Sequence, residues 1–197
     1  MYKRQGLNDV VRGEETLLAG WLQKPTACEA VFCLPGTHSK WIVAREGQVN
    51  QLTTFMTGEL FELMRTRSIL APLIDSQAVA DSKSDIFCKG LTLAKSAAGL
   101  LHQMFAIRAG ALTDQFAKSD VLTLLSGVLV GAECLAAKSL VQNRSVTLMS
   151  SGDLKQTYQN AFEHFGFVFN VADSEQAARK ACFQSSIKFN RAKEGQS

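Results

Sequence analysis

The residues with the clearest chemical potential are Pro35-Gly36-Thr37-His38-Ser39-Lys40, a polar tip between the apolar runs Val31–Leu34 and Trp41–Ala44. Glycine lets backbone amides come close to an anion, Thr37 and Ser39 bring hydroxyl donors, and Lys40 adds positive charge. That combination suits a phosphate, with His38 and Lys40 standing either as ligands or as solvated side chains. The plain alternative is a hairpin turn, which needs the same residue types. Arg12-Gly13-Glu14-Glu15-Thr16 is a second candidate, with two carboxylates near the start of a helical pattern. They either compensate the helix dipole, or one of them protrudes into a cleft as a general base. The third is Ser150-Ser151-Gly152-Asp153, a small-residue passage from a strand to a helix. It reads either as a tight connection or as a second nucleotide contact at a helix N-terminus.

The elements that must position these groups follow from periodicity. Leu17, Leu18, Trp21 and Leu22 mark an amphipathic helix ended by Pro25. Strands are expected at Val31–Leu34, Trp41–Ala44 and Gln48–Phe55. Thr57 is expected to cap a helix whose buried face is Leu60, Leu63 and Met64, with Ala71-Pro72 as its break. One helix from Ile86 to about Ala109, bent at Gly99, and another over Asp120–Leu140 complete a helical insertion. In the second of these, Gly127 and Gly131 lie on one face and admit close packing, while Glu133 reads as a satisfied or rim carboxylate. Val146–Met149, a helix with Leu154, Tyr158, Phe162 and Phe165 on one stripe, and Phe167–Val171 then make a βαβ unit. Asp173 and Gln176 cap a last helix to about Lys188.

Composition narrows the class. The 197 residues are 46% hydrophobic and 20% charged, ordinary for a globular chain with one good core. A net charge of +3 with no basic block gives nucleic-acid binding no support. Cys28, Cys33, Cys88, Cys134 and Cys182 form neither a disulfide framework nor a metal-ligand spacing, so reduced thiols and a cytoplasmic location are expected. The N-terminus lacks the apolar core of a signal peptide. The longest apolar run, Val121–Ala137, carries Ser126, Gly127 and Glu133 and is expected to be a buried helix, not a membrane span. A homo-oligomer is compatible with all of this.

The order of elements resembles the C-terminal lobe of the sugar kinase/actin/Hsp70 superfamily. More narrowly, Arg12–Thr16, Leu34–Trp41, Met56–Leu60, Leu125–Glu133 and the Tyr158 helix are similar, in order, to the motifs of the 2-dehydro-3-deoxygalactonokinase family. The resemblance runs from about residue 8 to the end, and Met1–Gly6 matches none of its motifs. It implies an α/β fold, a ribonuclease H-like or actin-like ATPase lobe with a mixed sheet of about five strands. Residues 1–30 would be the remnant of a preceding lobe and an inter-lobe helix, and 31–190 the nucleotide-binding lobe, with the insertion at about 57–141.

The activity implied is transfer of phosphate from ATP, with Mg²⁺, to 2-dehydro-3-deoxy-D-galactonate. Glu14 would be the base, Glu15 its alternate or a ligand of a Mg²⁺-bound water, and Arg12 the partner of the substrate carboxylate. Gly36, Thr37, His38, Ser39 and Lys40 would meet the ATP phosphates, and Ser151 and Gly152 the adenosine side. Two departures stand out. The family's first lobe, with its Asp-x-Gly-Ser/Thr loop, has no counterpart here, so a truncated and inactive kinase chain is expected. Ser150-Ser151-Gly152 stands where related loops carry paired glycines. Competing expectations are a non-catalytic nucleotide-binding module, a structural remnant, and a kinase for a related sugar acid.

Overall fold

The structure, a computed structural model, describes Asp9 and residues 29–172. Strands β1 (Ala30–Leu34), β2 (Ser39–Arg45) and β3 (Gln48–Phe55) form an antiparallel meander. The β2–β3 turn is Glu46-Gly47, both at positive φ (54° and 75°), the geometry a two-residue hairpin needs. Between β3 and β4 the regular elements are all helical. They are α1 (Thr57–Arg67), a 3₁₀ turn (Ala71–Leu73), α2 (Asp85–Leu93), α3 (Gly99–Leu112), a second 3₁₀ turn (Lys118–Asp120) and α4 (Val121–Val141). Strand β4 (Val146–Met149), helix α5 (Gly152–Phe165) and strand β5 (Phe169–Ala172) follow. The sheet order is β3-β2-β1-β4-β5, with β1 parallel to β4 and β4 parallel to β5.

Both faces of the central strands are buried. Val31, Cys33, Trp41, Val43, Val146 and Leu148 pack on α2, α4 and α5, while Phe32, Leu34, Ile42, Ala44, Met149 and Ala172 form a cluster of their own. A third cluster joins α1 and α3 to α4 through Leu70, Ile107, Val121, Leu124, Leu125 and Val128. Helix α4 is long and apolar enough to cross a bilayer. Here it is the central core helix, buried from Val121 to Leu125 and from Gly127 to Gly131. Its glycines serve close packing: a Cβ on Gly127 would lie 2.5 Å from Phe87 O and 2.9 Å from Gly90 Cα, and one on Gly131 2.7 Å from Ala94 Cβ.

Several local expectations change. Thr57 is the first residue of α1, not its cap; Met56 holds that position without a side-chain hydrogen bond. Leu63 is 46% exposed, so Leu60, Phe61 and Met64 carry the apolar face of α1. The expected helix from Ile86 to Ala109 is two helices, because the chain turns through Lys95 and Ser96 and Gly99 adopts φ +77°. Strand β5 starts two residues late because Gly166 ends α5 in the left-handed region and Phe167 N–H donates back to Phe162 O. Phe167 then packs on Trp41 and Phe162. The expected helix carrying Leu17, Leu18, Trp21 and Leu22 and the one from Asp173 to about Lys188 lie outside the described residues.

Candidate functional site

Parallel pairing of β1 with β4 places the chain after Leu34 beside the chain after Met149, since Cys33 sits opposite Leu148. Strand β3 ends at the same edge, because Phe55 pairs with Ser39 at the start of β2. Three segments therefore leave the sheet together: the Pro35–His38 tip, the start of α1 and the Ser150–Gly152 passage into α5.

The tip is docked on α1. Glu59 N–H donates to Thr37 O at 2.9 Å, and the missing Cβ of Gly58 leaves room for the tip backbone. His38 Nε2 lies 2.5 Å from Glu59 Oε2, both side chains partly exposed. Gly36 is not in the left-handed region, and a Cβ there would meet only His38 O, at 4.0 Å. Thr37 is exposed. Ser39 and Lys40 are not at the surface: both are buried, the Ser39 hydroxyl bonds Tyr158 OH at 2.8 Å, and Lys40 Nζ donates to His38 O at 3.4 Å.

Beyond the tip opens a cleft of about 240 Å³. Gly36, Thr57 and Gly58 border it on one side and Asp153, Leu154, Thr157 and Tyr158 on the other. Phe61, Val79 and Leu129 supply apolar walls and Arg65 a cation at the rim. Helix α5 points its N-terminus at this space. Ser151, in extended conformation, makes no side-chain cap bond, and Gly152 turns the chain at φ +58°. Orphan amides of a first turn attract an anion.

Under the cleft lies Glu133, 3% exposed. Its Oε1 accepts from Trp41 Nε1 at 2.9 Å, and its Oε2 accepts from Tyr158 OH at 2.8 Å and from Thr57 Oγ1. Burial raises its pKa, and the Thr57, Trp41 and Tyr158 donors pull it part of the way back. Burial beside this carboxylate also raises Tyr158 well above the phenol range. Glu133 is thus a satisfied interior carboxylate, not a rim group.

Of the sequence-predicted residues, Gly36 lines the cleft, whereas Ser151 and Gly152 precede the α5 residues Asp153 and Leu154 that line it, and Thr37, His38, Ser39 and Lys40 are not among its lining residues. Arg12, Glu14 and Glu15 lie outside the described residues. Asp9 does not: its carboxylate accepts from Thr54 N and Thr54 Oγ1, each at 2.7 Å, and so ties the segment before Arg12 to the end of β3. Sequence reasoning missed Thr57, Gly58 and Arg65 as wall residues. Gly58, a poor helix former inside the first turn of α1, was the available signal.

Comparison with known proteins adds the family. The family model described as 2-keto-3-deoxy-galactonokinase matches residues 1–184, reaching back past residue 8 to Met1. A 2-dehydro-3-deoxygalactonokinase of Escherichia coli (strain K12) is 32% identical over 182 residues, 92% of this chain and 59% of the relative. A Rhizobium meliloti (strain 1021) protein of the same designation is 34% identical over 175 residues, 87% of this chain and 56% of its own. A crystal structure from Sinorhizobium meliloti, titled for the same activity, superposes with a TM-score of 0.82 at 32% identity. It covers 90% of this chain and 58% of the other. The chain therefore spans little more than half the length of the relatives it matches. Motif order, sheet and comparison agree: the chain belongs to the 2-keto-3-deoxy-galactonokinase family.

Proposed function

We propose that this chain is the nucleotide-binding lobe of a cytoplasmic kinase that phosphorylates 2-dehydro-3-deoxy-D-galactonate at its terminal hydroxyl, with MgATP as donor. The observation that carries the reading is the single cleft bordered by both the hairpin tip and the first turn of α5, in a chain of this family. A three-stranded antiparallel meander continued by two parallel strands supports a ribonuclease H-like, actin-like ATPase lobe.

In this reading Gly36, Thr37 and His38 approach the phosphates from the tip, and Ser151 and Gly152 meet the adenosine side from α5. Ser39 and Lys40, being buried, act from beneath by fixing the backbone of the tip. Glu14 accepts the proton as the substrate oxygen attacks the γ-phosphorus and ADP leaves. Arg12 holds the sugar-acid carboxylate by a bidentate pair, and Glu15 is the alternate base or a ligand of a Mg²⁺-bound water. The Asp9–Thr54 tie supports this reading, because Asp9, five residues before Glu14 in the sequence, is held to the strand that pairs with Lys40 at the root of the tip. Mg²⁺ would arrive bound to the nucleotide phosphates, as it ordinarily does in phosphoryl transfer.

Calorimetric titration of this chain with MgADP tests the reading. Saturable binding that survives Glu14→Gln is expected, since the base does not hold the nucleotide. A chain that is folded by circular dichroism yet binds neither MgADP nor MgATP refutes it.

A further inference from the structure

Glu133 is a costly residue to place where it is. A buried carboxylate gives up its hydration, and only well-aimed donors offset that loss. The donors here come from separate parts of the chain: Trp41 from β2, Thr57 from the first turn of α1 and Tyr158 from α5, with Ser39 joined through the Tyr158 hydroxyl. Glu133 itself projects from α4, so four elements meet at one group. All four frame or adjoin the cleft, α4 through Leu129. Thr57 and Tyr158 line it, and Ser39 is the residue at which the hairpin tip enters β2. The residue after Thr57, Gly58, is pressed against the tip, and Glu59 N–H bonds Thr37 O. The spacing between tip, α1 and α5 is therefore set at the Glu133 carboxylate.

We infer that Glu133 is the positioning residue of the nucleotide cleft, holding the hairpin tip, the start of α1 and the wall of α5 in register for a nucleoside triphosphate or diphosphate. The inference rests on the nucleotide-binding reading above and adds to it the residue that sets the geometry. Glu133 touches no ligand. It acts through Thr57, Tyr158 and Ser39. Hydroxyls can reverse direction, so a glutamine at 133 can accept from Trp41 with its oxygen and donate to Tyr158 and Thr57 with its amide. An alanine can do neither, and it leaves Trp41 Nε1 without its acceptor.

The test is calorimetric titration of the 197-residue chain with MgADP, run beside thermal unfolding of each variant. Misplacing a site by about 1 Å can cost about 10²-fold. Glu133→Ala is accordingly expected to weaken MgADP binding by about tenfold or more per folded molecule, with Glu133→Gln restoring it to within about threefold of wild type. Tyr158→Phe keeps the ring and removes only the hydroxyl between Ser39 and Glu133. It is expected to weaken binding by about threefold or more, and it decides the matter alone where Glu133→Ala does not fold. Lowered unfolding temperatures with unchanged affinity in Tyr158→Phe and in folded Glu133→Ala would make the cluster purely structural and overturn the inference. A folded wild-type chain that binds no MgADP removes the nucleotide reading and this inference with it, an outcome distinct from variants that match a binding wild type.

Discussion

Gly58→Ala adds a single methyl group at the junction of α1 and the hairpin tip. A Cβ at this position would stand 2.5 Å from Gly36 O, 2.8 Å from Thr37 Cα and 3.1 Å from Gly36 C. All three are backbone atoms, so no rotamer change can relieve the contact. Ordinary contact begins at 3.4 Å, and the tip must retreat by about 0.9 Å to accept the methyl. Two stability effects oppose each other: alanine is the better helix former by about 1 kcal/mol, while overpacking costs about 1–3 kcal/mol. The expected net loss is small, between about 0 and 2 kcal/mol, and the chain should stay folded. Binding should respond far more. On the proposed reading, a tip displaced by nearly 1 Å no longer matches the phosphates of a nucleotide whose adenosine side meets α5, and an affinity loss of about tenfold to 10²-fold for MgADP is expected. Titration calorimetry reads the affinity and urea unfolding the stability. Wild-type affinity in a folded Gly58→Ala chain would mean that the tip does not meet the ligand.

Gly36→Val offers the opposite geometry, because its added Cβ meets only His38 O at 4.0 Å; unfolding midpoints should barely move while MgADP affinity falls, and a variant with unchanged affinity would remove Gly36 from the phosphate contact. Gly127→Ala, by contrast, drives a methyl to 2.5 Å from Phe87 O and 2.9 Å from Gly90 Cα. Separating α2 from α4 should cost about 1–3 kcal/mol in urea unfolding, and a neutral result would refute the close packing of these helices. Stability should also carry a pH signature of Glu133, whose folded pKa is raised above 4.5 chiefly by burial. The folded state then binds that proton more tightly than the unfolded chain, so stability falls as pH rises from 4.5 through the folded pKa. Glu133→Gln removes this titration, and the stability of wild type relative to the variant should decline across that window; a difference independent of pH would contradict it.

How much of this was legible in the sequence depended on the distance over which each signal acts. Gln48–Phe55 and Val146–Met149 were read with their observed bounds, because alternating apolar residues are flanked closely by turn formers. The role of Gly127 and Gly131 was also legible from spacing on one helix face. The cap of α1 was not, since the Thr57 hydroxyl is drawn to Glu133, 76 residues away, rather than to its own backbone. Ser39 looked like a phosphate donor, yet its hydroxyl turns inward to Tyr158, 119 residues further along the chain. Local pattern could offer Glu133 as a satisfied carboxylate but could not name the groups that satisfy it.

The site itself follows from one pairing that no local pattern encodes. Phosphate-like chemistry at residues 35–40 and a helix start at 152 are each ambiguous alone, because hairpin tips and tight strand–helix passages are common. Parallel hydrogen bonding of β1 to β4 sends both exits to one edge of the sheet. The antiparallel return of β3 brings α1 to that edge as well. Once three exits share an edge, a cleft must form between them, and something must hold their spacing against the mobility that loops ordinarily have. Glu133 does so from α4, the most deeply buried helix of the described residues, with its donors supplied by two of the helices and a strand it separates. A sheet that gathers its loops and a core carboxylate that spaces them are thus parts of one arrangement, and substitutions at Gly58 and Glu133 should fail in the same assay for the same geometric reason.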